Sequence, residues 1–286
     1  MKTADIVIRD PFVLNEGGKY YLYGTRSLTC WGEADGFDAY VSSDLENWEG
    51  PVEIFHKTED FPYDKNYWAP EVHKYNGSFY MFATFNTVAK NKKGTMILKA
   101  DNPLGPFKPH SEGKITPEEW NCLDGTFYLS PKGVPYMIFS HEWEDVFDGQ
   151  ICAVELAKDL TKPVGEPFTL FSASEAKTWV RSITHRRYPG KAIYVTDGPF
   201  AWRNEDGSLA LMWSSFGDKG YVEAVAYSDN GDVTGNWTQR EKPLYEENGG
   251  HGMLFRKNDG SLMLTLHYPN ENYHEHPVFI PMPKSI

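Results

Sequence analysis

No apolar run in this 286-residue chain approaches the length of a membrane-crossing helix. Helical periodicity is nearly absent. Its one weak stretch is 172–179, where Ser172 is placed to cap Ala173-Ser174-Glu175-Ala176. Cysteine is scarce: Cys30, Cys122 and Cys152 are odd in number, widely spaced and form no CxxC pair. That argues against a disulfide framework and points to reduced, buried or half-buried thiols. Positive charge is in deficit, with 28 Lys and Arg against 40 Asp and Glu and a net charge of -12. Such a field repels phosphate backbones and anionic headgroups, so no nucleic acid and no membrane is expected as a partner. A small neutral oligosaccharide is compatible with it. There is no Gly-rich phosphate loop and no Gly-x-Ser-x-Gly elbow, and His141-Glu142 lacks the second His of a zinc-protease helix. The N-terminus enters strand-like sequence without a signal-peptide apolar core, so the chain as it stands reads as cytoplasmic, or as secreted had a leader been removed. No feature sets an oligomeric state.

Aromatic residues, by contrast, make up 15% of the chain, and they recur in a pattern. A short signature, an apolar strand, a Gly or Asn turn and an aromatic-rich strand appear five times. The copies open at Asp10-Pro11-Phe12, Ala69-Pro70-Glu71, Asp124-Gly125-Thr126, Asp197-Gly198-Pro199 and His251-Gly252-Met253, spaced by 59, 55, 73 and 54 residues. The turns at Gly17-Gly18, Asn76-Gly77, Gly133, Gly207 and Gly260 fall at the same point in each unit and supply positive φ for hairpins. Short strands repeated five times predict an all-β, five-bladed β-propeller, read as one catalytic domain over 1–286. The tail at 276–280 is expected to supply a closing strand, because a ring must join its ends to remove its edges. The 172–179 stretch lies in the longest gap between copies and reads as an insertion beside the ligand face.

First strands line a propeller's channel, so the five signatures gather at one mouth, and the ends of the second strands return there. Asp10, Asp124 and Asp197 then converge, with Glu71 and Glu142 close by. A lone Asp-Pro or Asp-Gly is ordinary turn chemistry. Three at matching repeat positions, among Trp and Tyr, suit glycoside hydrolysis, where one carboxylate activates water and another protonates the leaving oxygen. Arg9 is predicted to point away from Asp10, because neighbours on a strand alternate faces, which leaves Arg26 as the candidate cation. Trp31, Trp68, Phe85 and Trp143 are candidate sugar-stacking rings, and Asn86 and His267 candidate hydroxyl partners. Trp202 and Trp213 are assigned to the core. His274-Glu275-His276 reads as an exposed tail rather than a metal site.

Together, Ile8-Arg9-Asp10-Pro11-Phe12, Tyr67-Trp68-Ala69-Pro70-Glu71-Val72, Leu123-Asp124-Gly125-Thr126-Phe127, Thr196-Asp197-Gly198-Pro199-Phe200 and Gly250-His251-Gly252-Met253-Leu254-Phe255 resemble the five blade signatures of glycoside hydrolase family 43. The resemblance implies hydrolysis with inversion of α-L-arabinofuranosides, or as second choice β-D-xylosides, from the ends of plant-polysaccharide oligosaccharides. By the same resemblance Asp10 matches the general base and Asp124 the orienting, pKa-modulating acid. Asp197 stands where the family usually has a Glu proton donor, which leaves Glu142 as an alternative acid. His251 matches a His that approaches a calcium ion through ordered water, so a structural calcium is implied in the channel although no cofactor is required. Two rivals remain: a retaining propeller hydrolase of fructosides, and a sugar-binding propeller with little catalysis.

Overall fold

The computed structural model describes residues 1–87 and 92–286, and it is almost entirely antiparallel sheet. Blade one is β1 (Ile8–Glu16), β2 (Lys19–Arg26), β3 (Gly36–Ser42) and β4 (Glu49–His56). Blade two is β5 (Lys65–Tyr75), β6 (Ser78–Asn86), β7 (Gly94–Ala100) and β8 (Lys108–Pro109). Blade three is β9 (Cys122–Leu129), β10 (Pro135–His141), β11 (Gln150–Leu156) and β12 (Pro163–Ser172). Blade four is β13 (Asp197–Arg203), β14 (Leu209–Gly217), β15 (Gly220–Ser228) and β16 (Trp237–Gln239). Blade five has three strands, β17 (Gly250–Arg256), β18 (Leu262–Tyr268) and β19 (His276–Met282). Strands follow sequence order in each sheet. The five first strands touch in a closed cycle, β1 to β5, β9, β13, β17 and back to β1, so they line the channel of a five-bladed β-propeller.

The hairpin turns form where the sequence places them. Asn76 and Gly77 both take positive φ, and Tyr75 faces Ser78 across the turn. The expected closing strand is β19, and the ring is joined where the Ile8 amide donates to the Glu275 carbonyl at 3.1 Å. Glu275 is therefore fully buried, and His276 reaches the Ile6 carbonyl at 2.8 Å. These two residues do not form an exposed tail. The capped stretch after Ser172 is a single 3-10 turn, Ala173–Glu175, in which the Glu175 carboxylate accepts from the Ser172 amide.

Much of the aromatic excess is core. Trp213 is fully buried, whereas Trp202 is only half-buried, with Arg256 over its ring at 5.6 Å. Phe85 is 0% exposed and packs on Tyr67, Phe61, Phe37 and Phe55 at ring distances of 4.7, 5.3, 5.8 and 6.0 Å. It cannot stack a sugar. The three cysteines are free and buried. Among the described residues, no helix is long and apolar enough to cross a membrane.

Candidate active site

Each first strand breaks register at its signature. In β1 the pairs are Arg9 with Thr25 and then Phe12 with Tyr23; in β13 they are Asp197 with Ser214 and then Phe200 with Met212. The bulged residue after each first pair takes positive φ: Asp10 (54°), Ala69 (45°), Asp124 (57°), Gly198 (51°) and His251 (53°). Asp197 is therefore not equivalent to Asp10 and Asp124. It matches Arg9, Trp68 and Leu123, one residue nearer the mouth. A bulge sets two residues opposite one and suspends the alternation of faces. For that reason Arg9 and Asp10 both line the same cavity, contrary to the alternation rule.

The bulges are stitched blade to blade. Ala69 donates its amide to Thr25 at 2.8 Å, Asp124 to Thr84 at 2.8 Å, His251 to Ser214 at 2.7 Å, and Asp10 to the His267 Nδ1 at 3.2 Å. The stitch at blade four differs. The Gly198 amide donates to Asp124 Oδ2 at 3.0 Å, and the buried Ser140 hydroxyl is left without a protein partner. Gly198 must be glycine here, since a Cβ would lie 2.7 Å from the His251 ring.

These residues floor a cavity of about 490 Å³. Asp10, Asp124, Asp197, Glu142, Trp68, Asn86, Trp143, Trp31 and His251 all line it, as the sequence predicts. Four predicted residues do not. Phe85 is core, as above. Glu71 lies one strand pair deeper, where its Oε2 meets His73 at 2.9 Å. Arg26 turns to the flank of blade one and holds Asp38, Asp35 and Glu53 at 2.7–2.9 Å. His267 is fully buried with both ring nitrogens engaged, by the Asp10 amide and by Asn270 at 3.1 Å. Burial pushes it down to about 3, so it is neutral. The residues that sequence reading missed are Arg9, Tyr221, Lys93, Asn66, Asn270, Asn272 and the Glu144–Arg187 pair. Arg187, Ile183 and Val195 come from the insertion before blade four, as its length suggests.

The acids differ in their proton affinities. Burial alone would raise Asp10, but the His251 ring at 3.2 Å, Arg9 and a 2.6 Å bond from the Thr25 hydroxyl outweigh it and hold this carboxylate below its usual range. Burial pushes Asp124 up to about 8, with the charges of Asp197 and Asp10 adding to it and His251 opposing. Asp197 is also raised by burial and by Asp10, although Tyr221 donates to its Oδ2 at 2.9 Å. It remains half-exposed to the cavity. Glu142 rises to about 7 through burial, opposed by Lys93, whose Nζ is 2.5 Å from its Oε2. The carboxylates raise His251 against the effect of its burial.

A calcium ion beside His251 would be held through ordered water rather than by the ring itself. Calcium takes roughly six to eight oxygen ligands. His251 offers nitrogen, and its Nδ1 faces Asp10. Among the described residues, no three His, Cys, Asp or Glu side chains are grouped to hold a metal ion.

Behind the His251 bulge, Glu223 is fully buried, and its Oε2 accepts from the Ser214 hydroxyl at 2.9 Å and the Gly252 amide at 2.7 Å. Burial pushes Glu223 up to about 8. The folded chain thus holds a proton that the unfolded chain releases near pH 4 to 5. This contribution to stability is full below that range and is lost as pH rises through about 8. Glu223→Gln imitates the protonated acid. Thermal unfolding should show it level with wild type near pH ~5 and several degrees more stable near pH ~9.

A propeller whose channel mouth sets one carboxyl of lowered proton affinity beside others of raised affinity is suited to acid–base chemistry. The chain belongs to the glycosyl hydrolases family 43, which it matches over residues 5–282, and it is a glycosidase of that family. The crystal structure of an endo-arabinase from Bacteroides thetaiotaomicron superposes with a TM-score of 0.90 at 40% identity, over 99% of this chain and 96% of that one. The extracellular exo-α-(1→5)-L-arabinofuranosidase ArbA of Cellvibrio japonicus is 26% identical over 275 residues, 89% of this chain and 72% of that protein. The extracellular endo-α-(1→5)-L-arabinanase 1 of Bacillus subtilis is 25% identical over 179 residues, and the match spans about half of its length.

Proposed function

We propose that this glycosidase releases α-L-arabinofuranosyl units from the ends of α-(1→5)-linked arabino-oligosaccharides, with inversion. The observation that carries the mechanism is the split in acidity within one cavity: Asp10 is held ionised while Asp124, Asp197 and Glu142 are pushed up. Asp10 takes a proton from water, whose oxygen attacks the anomeric carbon. As the glycosidic bond breaks, Asp197 protonates the leaving oxygen. Tyr221 anchors Asp197 Oδ2, which leaves Oδ1 to carry the transferable proton. Asp124 orients this donor through the Gly198 amide. His251 and Arg9 keep the base charged in a desolvated site. The half-exposed indoles of Trp31 and Trp68, which meet edge to face at 5.6 Å, offer flat apolar surface to a sugar ring.

The substrate is supported by the similar proteins, which are an exo-α-(1→5)-L-arabinofuranosidase, an endo-α-(1→5)-L-arabinanase and an endo-arabinase. Release from chain ends rests on the cavity, whose about 490 Å³ suits one or two sugar units. Hydrolysis of aryl α-L-arabinofuranoside and aryl β-D-xyloside tests the sugar. Release of single arabinose units from linear arabinan, rather than mixed oligomers, tests the mode. The anomer first formed, read by NMR, tests inversion, and retention would instead favour the fructosidase-like mechanism. A second reading of the donor has its own support, since Glu142 at about 7 also lies on the cavity wall.

A further inference from the structure

The two segments that wall the cavity on the blade-one side have a second face. Cys30 and Trp31 line the active-site cavity, whereas Ser27, Leu28 and Thr29, just before them, line a separate groove of about 510 Å³. Asn270 and Asn272 line the cavity, and Tyr273 lines the groove. Trp31 and Asn272 lock the two segments together, the indole N–H donating to Asn272 Oδ1 at 3.0 Å. The groove and the catalytic cavity are therefore neighbours across one shared wall.

The groove has the chemistry of a sugar site. Tyr40 and Tyr273 supply aromatic surface, and Val7 and Leu28 supply apolar surface. Leu28 is 88% exposed and Tyr273 52%, although covering such apolar surface is favourable. At one end the Asp38 carboxylate, held in a fork by Arg26 at 2.7 Å on both oxygens, keeps lone pairs to accept from hydroxyls. Ser27 is 5% exposed, and its hydroxyl has no protein partner although buried polar groups are normally paired. A neutral ring with hydroxyls on its rim suits this lining, because its faces cover the aromatic and aliphatic walls while its rim meets Asp38.

We infer that this groove is a second carbohydrate-binding site, which holds a sugar unit of the same polysaccharide chain whose end occupies the catalytic cavity. The occupant follows from the shared wall: a chain leaving the cavity over the half-exposed Trp31 meets Leu28 and Tyr273 next. The inference rests on the glycosidase reading and deepens it, since a chain-end enzyme gains from holding the polymer beside its cavity. Neither Leu28 nor Tyr273 touches the catalytic carboxyls, and both are exposed, so replacing them leaves the fold and the acid–base groups in place.

The test is affinity electrophoresis in gels containing linear α-(1→5)-arabinan, run in the Asp10→Asn background so that the polymer survives. Leu28→Ala/Tyr273→Ala is compared with its parent. Turnover of aryl α-L-arabinofuranoside is measured separately on proteins that keep Asp10. The expected result is a loss of about tenfold in apparent affinity for arabinan, with aryl turnover within about twofold of wild type. Equal retardation of parent and double variant overturns the inference, as does a parent that arabinan does not retard. A parent that is retarded but shows no aryl turnover in its Asp10 form would sink the proposed chain-end arabinofuranosidase reading instead. The groove then stands if the double variant loses its retardation.

Discussion

Asp10→Asn is expected to lower kcat on every substrate by about 10³-fold, within the range for removing a general base. The loss should hold for aryl arabinofuranosides with good leaving groups, since water must be activated whatever departs. The substitution is nearly isosteric. The amide oxygen can still accept from Thr25 at the Oδ2 position, while the NH2 takes the Oδ1 position opposite the His251 ring nitrogen, so the fold should persist and KM should change little. In wild type the acid limb of the kcat/KM profile should lie below the ordinary carboxylate range, because His251, Arg9 and Thr25 stabilise the charged form. Activity is lost as pH falls through that depressed value. An Asp10→Asn enzyme with more than about a tenth of wild-type kcat would remove Asp10 as the base.

Asp197→Asn and Glu142→Gln should separate by leaving group. Loss of the true donor should cost about 10²–10⁴-fold on arabino-oligosaccharides, whose alkoxide leaves poorly, and under about tenfold on a nitrophenyl glycoside. We expect Asp197→Asn to show this divergence and to lose the alkaline limb on oligosaccharides. The wild-type limb arises because Asp197 must carry a proton, and activity falls as pH rises through its raised value. Glu142→Gln should instead affect both substrates alike, because it disrupts the Lys93–Glu144 pairing that shapes the wall. Divergence in Glu142→Gln with none in Asp197→Asn would transfer the donor role.

The repeat made the propeller legible, because each copy carries its own turn glycine and its own alternating strands. It also located the mouth, since a signature five times repeated can converge only at one end of a ring. Two of the errors share one cause. Alternation of faces misplaced Arg9 because the bulge at Asp10 suspends it, and nothing in Ile8-Arg9-Asp10-Pro11 states that Asp10 takes positive φ. The same bulge shifts Asp197 by one position, which is visible only when Gly198 is seen to take the strained conformation. Phe85 and Arg26 sit at the mouth end of second strands but face between and outside the blades. Tyr221 and Lys93 belong to third strands or their approaches, where no repeated signature marks them. His267 was placed correctly at the mouth, yet both its nitrogens are spent on holding Asp10 and Asn270.

The stitch between Asp10 and His267 joins residues 257 apart in sequence, and the Arg9–Glu275 pair spans 266. The surroundings of Asp10 are thus assembled from the first and the last blades. During synthesis Asp10 is made 257 residues before His267, so its amide and the neighbouring Arg9 guanidinium wait for the last blade before they acquire these partners. Contacts of such separation form late, after the intervening chain has been ordered. The contacts that close the ring are thus the same ones that complete the surroundings of Asp10, and a nascent chain that lacks its last blade holds the acids without the frame that tells them apart.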